Sequence, residues 1–115
     1  MSKNNETRWQ IHFYEDHRGK LPALEYVNEL PAKERARIHN TLQLLESYGT
    51  ALGMPHARRI QGKLWELRPG ANRLFYFAYI RRKFVVLHAF RKKTQRTPKR
   101  EVRIALRRMQ EILEE

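Results

Sequence analysis

The sequence predicts an α+β fold, on three observations. A short early segment alternates apolar and polar residues, two helical periods follow it with no strand between them, and three closely spaced strand patterns then lead into a final amphipathic helix. The order β-α-α-β-β-β-α implies a small antiparallel sheet packed against a helical hairpin. At 115 residues the chain suits one domain, spanning 1–115, with one core to carry its stability. Hydrophobic residues make up 41% of it and include 5 Phe, 5 Tyr and 2 Trp, more buriable surface than disordered chains carry.

From Arg8 to Tyr14, Trp9, Ile11 and Phe13 alternate with Arg8, Gln10 and His12, as in a strand with one wet face. A charged turn containing Gly19 leads to a short helix, with Pro22 at an early position and Leu24, Val27 and Leu30 on its apolar side. Pro31 opens the second helix, in which Ile38, Leu42 and Leu45 recur at helical spacing until Gly49. The segment from Thr50 to Gly62 has no clear period and reads as a connection, partly ordered by Leu52, Met54 and Ile60. Strands follow over Lys63 to Arg68, Arg73 to Ile80 and Phe84 to Arg91, broken by Pro69 and Gly70 and then by Arg81, Arg82 and Lys83. Apolar residues fill both alternating sets of Arg73 to Ile80, which marks that strand as central and covered on both faces. Pro98 starts the last helix, where Val102, Ala105, Met109 and Ile112 form a stripe and Arg103, Arg107 and Arg108 fall largely outside it.

Lysine and arginine number 24 against 12 Asp and Glu, a formal charge of +12. Such a surplus draws polyanions through phosphate neutralisation and counterion release, so nucleic acid is the leading partner class and an anionic membrane surface the lesser one. With no cysteine, disulfides, thiolate zinc sites and a cysteine nucleophile are excluded, which suits a reducing compartment. The opening MSKNNETRWQ lacks the apolar stretch of a signal peptide, and the longest apolar run, Leu74 to Ile80, is far too short for a membrane span. A cytoplasmic location without membrane attachment is the expectation.

The cations are unevenly spread. Arg91, Lys92, Lys93, Arg96, Lys99, Arg100, Arg103, Arg107 and Arg108 crowd into one stretch with a single acid, Glu101. Antiparallel pairing would also gather Lys63, Arg68 and Arg73 with Arg91, Lys92 and Lys93, because the last strand runs back to the end where Arg73 begins. An arginine fork binds two phosphate oxygens and stabilises the charge that builds in a phosphoryl transition state. Arginine takes no proton, so a general base has to be a lysine lowered by cationic neighbours, a histidine, a tyrosine or a carboxylate. Lys92 and Lys93 come first. His88 lies in a core strand near the cluster but shares an alternating face with Phe84, Val86 and Phe90, which favours a packed core histidine. The sequence has no HExxH and no paired carboxylates at ligand spacing, so neither a metal nor another cofactor is expected. RNA brings its own nucleophile in the 2′-hydroxyl, which DNA lacks.

The stretches KLWELRPGANRLFYF and VVLHAFRKKTQRTPKREVRIA closely resemble the RelE and HigB toxin superfamily, in particular its phage-derived HigB-like branch of type II toxin–antitoxin modules. A Leu-Trp-Glu-Leu-Arg strand, an Arg opening the next strand and a Phe-x-Lys-Lys-Thr-x-x-Thr-Pro segment leading into a helix carry the resemblance, which covers nearly the whole chain. It implies a RelE-like toxin that cuts messenger RNA on the ribosome as an endoribonuclease, without metal, and that a cognate antitoxin neutralises, here a HigA-like DNA-binding protein. On the same resemblance Arg73 matches the arginine that contacts the scissile phosphate, Lys63 and Arg68 fall on the basic second strand, and Lys92 and Lys93 match a Lys-Lys pair assigned to phosphate binding and proton transfer.

The expected catalytic set is therefore Arg68, Arg73, Lys92 and Lys93, with Lys63, His88, Arg91, Arg96, Lys99 and Arg100 as RNA contacts. Several better-known relatives place a catalytic Tyr or His at the extreme carboxyl terminus, where this chain reads MQEILEE. Two other readings stand beside this one: a ParE-like gyrase inhibitor, and a noncatalytic basic module that binds nucleic acid.

Overall fold

A computed structural model describes residues 8–115; residues 1–7, which open the stretch read as free of a signal segment, lie outside the described residues. The chain runs β1 (Gln10–Phe13), α1 (Pro22–Asn28), α2 (Ala32–Tyr48), a 3₁₀ turn (Gly49–Ala51), β2 (Ala57–Gln61), β3 (Leu64–Leu67), β4 (Asn72–Tyr79), β5 (Lys83–Arg91) and α3 (Lys99–Leu113). Prolines start the helices as expected, with Pro22 in the first turn of α1 and Pro31 and Pro98 capping α2 and α3. Gly49 ends α2 at φ +58°, and a side chain there would run into the Trp9 indole, so two constraints converge on glycine.

The α+β class is observed, with two differences in the sheet. Its order is β1-β5-β4-β3-β2, and β1 pairs in parallel with β5 while every other pair is antiparallel. The sheet is therefore mixed, because no hairpin joins β1 to its neighbour and nothing local fixes their relative direction. The second difference is β2, which forms inside the segment read as a connection. Gln61 pairs with Leu64 across the two-residue loop Gly62-Lys63, Gly62 supplying a φ of +51°. As an edge strand, β2 buries only Ala57 fully and shows no clean alternation.

Strand β4 is central, and its two alternating sets enter two separate cores. On one face Leu74 and Tyr76 join Val27, Ile38 and Leu45 of the helical hairpin; on the other, Phe75 and Phe77 meet Ala105 and Met109 of α3. A bulge in β5 decides where the following side chains point. Phe75 pairs with His88 but Tyr76 with Val86, so Leu87 is an extra residue and the alternation changes phase. Phe84 and Val86 therefore face the hairpin, whereas Leu87 and Phe90 face α3. His88, expected on one face with Phe84, Val86 and Phe90, keeps only Phe90 of these, stacking on it at 5.7 Å between ring centroids.

Three polar contacts fasten α3 to this second face. Arg108 Nη1 donates to the carbonyl of the bulged Leu87 (2.8 Å), Tyr14 donates to Glu111 Oε1 (2.6 Å), and His88 Nε2 meets Glu101 Oε1 (2.5 Å). The Arg108 guanidinium also lies 5.0 Å from the centre of the Tyr14 ring. Among the described residues no helix is long and apolar enough to cross a membrane.

Candidate active site

At one end of the sheet, the β3–β4 turn lies beside the exit of β5, since Leu67 pairs with Leu74 and Asn72 with Arg91. Glu66 sits there opposite Arg58 of β2 and Phe75 of β4, hence on the α3 face. It is 2% exposed, and its Oε2 lies 2.7 Å from Arg68 Nη1, 3.4 Å from Arg58 Nε and 4.0 Å from Arg73 Nε. One carboxylate thus gathers three guanidinium groups and can neutralise only one of them.

Arg73 is the most deeply placed of the three, at 6% exposure. Its Nη1 donates to the carbonyls of Gly70 (2.7 Å) and Asn72 (2.8 Å), which fixes the plane of the fork, while Nη2 has no protein partner among the described residues. Burial first, and then the like charge of Arg68, lower its pKa against the pull of Glu66. A guanidinium is not deprotonated in proteins, so the group stays charged. The backbone N–H of Lys92 donates to the Ala71 carbonyl (2.8 Å), tying the exit of β5 to the same turn.

These ties shape a cleft of about 170 Å³ lined by Arg58, Arg68, Arg73, Lys92 and Arg96, with Glu66 and Phe90 beneath them and Gln95, Thr97 and Pro98 along one wall. Arg58 Nη2 donates to Thr97 Oγ1 (3.1 Å) and so links β2 to the segment before α3. Five cations face one carboxylate in a space suited to a small anion. Forked N–H donors with fixed planes bind phosphate oxygens at little further ordering cost and are already aimed when charge grows on them.

The structure brings together Arg68, Arg73, Lys92 and Arg96 and leaves the other expected residues apart. Lys93 is exposed and does not line the cleft, and Lys99 and Arg100 are exposed in the first turn of α3. Arg91 turns to the opposite face, where its Nη2 donates to Glu34 Oε1 at 2.6 Å. Lys63 does not join the convergence expected of it. It precedes β3 where Arg68 follows it, about 16 Å away at about 3.3 Å per residue, and lines a separate groove with Thr50, Trp65, Tyr76 and Phe84. His88 packs against Phe75 and Phe90 outside the cleft lining. Burial lowers its pKa more than Glu101 raises it, and Arg108, 3.5 Å from Nδ1, acts in the same direction as burial. A neutral ring that donates from Nε2 to Glu101 satisfies both neighbours.

The expected set lacked Arg58, Glu66, Gln95 and Thr97. The signal for Arg58 was present: Gly62-Lys63 between Ile60-Gln61 and Leu64-Trp65 has the form of a two-residue hairpin, which would have promoted Ala57–Gln61 to a strand.

The family described as "Phage derived protein Gp49-like (DUF891)" matches residues 25–110, and the chain belongs to that family. No curated protein shows significant similarity to it. Among solved structures, it resembles an archaeal RelE from a RelE-RelB complex of Pyrococcus horikoshii OT3, with 14% identity, a TM-score of 0.58, and coverage of 74% of this chain and 96% of that one. A chain of the toxin-antitoxin complex RelBE2 from Mycobacterium tuberculosis gives 14% identity, a TM-score of 0.55 and coverage of 74% and 99%. A mutant of E. coli toxin RelE in the free state gives 18%, 0.52, and 89% and 98%. The expected RelE-like fold is the one these structures share, and the family is the Gp49-like, phage-derived one.

Proposed function

We propose that this chain is the toxin of a type II toxin–antitoxin module, of the HigB-like branch, and that its cleft binds the scissile phosphate of messenger RNA on the ribosome. The observation that carries the reading is Arg73: buried, charged, held by two backbone carbonyls, and set among more cations than Glu66 can balance. In the reaction the 2′-oxygen attacks the adjacent phosphorus as its proton leaves to a base. The bond to the 5′-oxygen breaks and that oxygen takes up a proton, leaving a 2′,3′-cyclic phosphate and a 5′-hydroxyl. Arg68 and Arg73 stabilise the charge on the phosphoryl oxygens. Lys92, the lysine that lines the cleft, is assigned to proton transfer. Lys93, Arg96, Lys99 and Arg100 are assigned to flanking phosphates, the reaction needs no metal, and the site of action is the cytoplasm.

An antitoxin, HigA-like on this reading, is the second partner. RelE chains of similar fold were solved in complexes with RelB and as RelBE2, which supports a protein that covers the toxin. The test is growth and RNA cleavage together. Expression of the chain alone should arrest growth, primer extension should show cuts only in translated messages, and Arg73→Ala should lose both effects while keeping its circular dichroism spectrum. Arrest without cleavage, with gyrase inhibited, would indicate a ParE-like activity instead. Binding without arrest or cleavage would leave a noncatalytic module.

A further inference from the structure

On the other side of the β3–β4 turn from the cleft lies a groove of about 420 Å³, lined by Lys33, Glu34 and Arg37 of α2, by the turn itself and by Arg91. Its one carboxylate is already engaged: Glu34 Oε1 accepts from Asn72 Nδ2 at 2.9 Å and from Arg91 Nη2 at 2.6 Å. Lys33 and Arg37 are exposed and have no carboxylate partner among the described residues. With Arg91 matched to Glu34, the groove is left with two cations, Lys33 and Arg37, beside an acid that is already satisfied.

The partition between the two concavities is thin and rigid. Gly70 and Ala71 lend their carbonyls to Arg73 and to the Lys92 backbone on the cleft side, and Pro69 lends its own to the Asn72 N–H. On the groove side, Arg37 lies so close over Gly70 that a Cβ there would come within 2.7 Å of its Nη1 and 3.0 Å of its Cδ. Gly70, at φ +64°, thus lets both the turn and the Arg37 guanidinium occupy the rim. Positive charge continues from Arg68, Arg73 and Lys92 over this rim to Arg37, Lys33 and Arg91.

We infer that the groove of Lys33 and Arg37 is a second phosphate subsite, which takes the backbone of the same single-stranded RNA after it crosses the Pro69–Gly70 turn. The inference rests on the proposed RNA substrate and adds where the chain runs next. Two phosphates on opposite sides of a fixed turn set the strand's register over the cleft, so Lys33 and Arg37 act as positioning residues.

The probe is a fully 2′-O-methylated RNA decamer, which cannot be cleaved, with a dinucleotide of the same chemistry as the short control. Binding is measured against salt for the wild type, for Lys33→Gln/Arg37→Gln, and for Arg18→Gln/Lys20→Gln, which removes equal charge from the β1–α1 turn. The first double variant should lower the slope of log K against log salt by about 1.4, two contacts at about 0.7 each, and leave dinucleotide binding unchanged. The second should leave the decamer slope within about 0.3 of the wild type. An unchanged slope in the first variant, or equal losses in both, overturns the subsite. So does a normal slope combined with weakened capture of the proposed antitoxin, which would make the groove a protein-binding face. Failure of the wild type to bind either RNA overturns the subsite as a feature of the free chain, whereas the proposed substrate falls only if translated messages also go uncut, a different result.

Discussion

The two faces of the sheet meet the same end of β4 with the same ingredients and use them differently. On the hairpin face, Glu34 is matched by Arg91 and Asn72, and Tyr26 donates to Asn72 Oδ1 at 2.5 Å. On the α3 face, Glu66 is outnumbered by Arg58, Arg68 and Arg73, with Lys92 and Arg96 nearby. The first arrangement closes a network; the second uses one acid to hold several like charges in place. A carboxylate beside an arginine is thus no sign that the arginine is quenched. What matters is how many cations share it and whether burial keeps them from turning away.

The largest effect expected of this difference is on stability. Glu66→Ala leaves three arginines without their common anion and should cost about 3 kcal/mol in urea unfolding. Glu34→Ala, at a partly exposed site, should cost clearly less. Equal losses would break the comparison. Next is the attachment of α3 over the cleft's face. Arg108→Ala strands the carbonyl of the bulged Leu87 and should cost about 2 kcal/mol by the same measurement.

Stability against pH should resolve the two faces without mutation. On the α3 face, burial among Phe75, Phe90 and Arg108 keeps His88 below its ordinary value of 6.5 despite Glu101, so the unfolded chain binds the proton more readily. Stability should fall as the pH drops below about 6.5, and His88→Gln should remove that slope. On the hairpin face, the bond from Asn72, followed by Arg91, holds Glu34 below its ordinary 4.5. Its contribution is present above that value and is lost as the pH falls through the lowered one, so Asn72→Ala should flatten this second, more acidic step. The smallest effect lies at the far end of the sheet, where Arg81 and Arg82 both adopt positive φ, 58° and 57°. Arg81→Gly should relieve strain and raise stability by under about 1 kcal/mol, without touching either face.

Much of this was legible in the sequence, and the exceptions share a cause. Proline and glycine punctuation located the helices, and the doubly apolar pattern of β4 marked it as central, because both signals are local. The meeting of Arg68, Arg73 and Lys92 followed from antiparallel pairing alone. The face of His88 did not, because one inserted residue at Leu87 changes the phase of everything after it and leaves no mark in an apolar strand. Lys63 was misplaced by treating both ends of a four-residue strand as one neighbourhood, and Arg58 was overlooked because an edge strand with little to bury has no period to read.

The most direct measurement compares two arginines that stand across this divide. Rates of cleavage of a translated message should be determined by primer extension for the wild type, Arg73→Ala and Arg91→Ala, each checked for folding. Loss of about 10²- to 10³-fold is expected at Arg73, where a preorganised donor meets developing charge, and less than about tenfold at Arg91, whose guanidinium is committed to Glu34. Equal losses at the two positions, or full cleavage by Arg73→Ala, would contradict the assignment of the Glu66 cluster as the phosphate site.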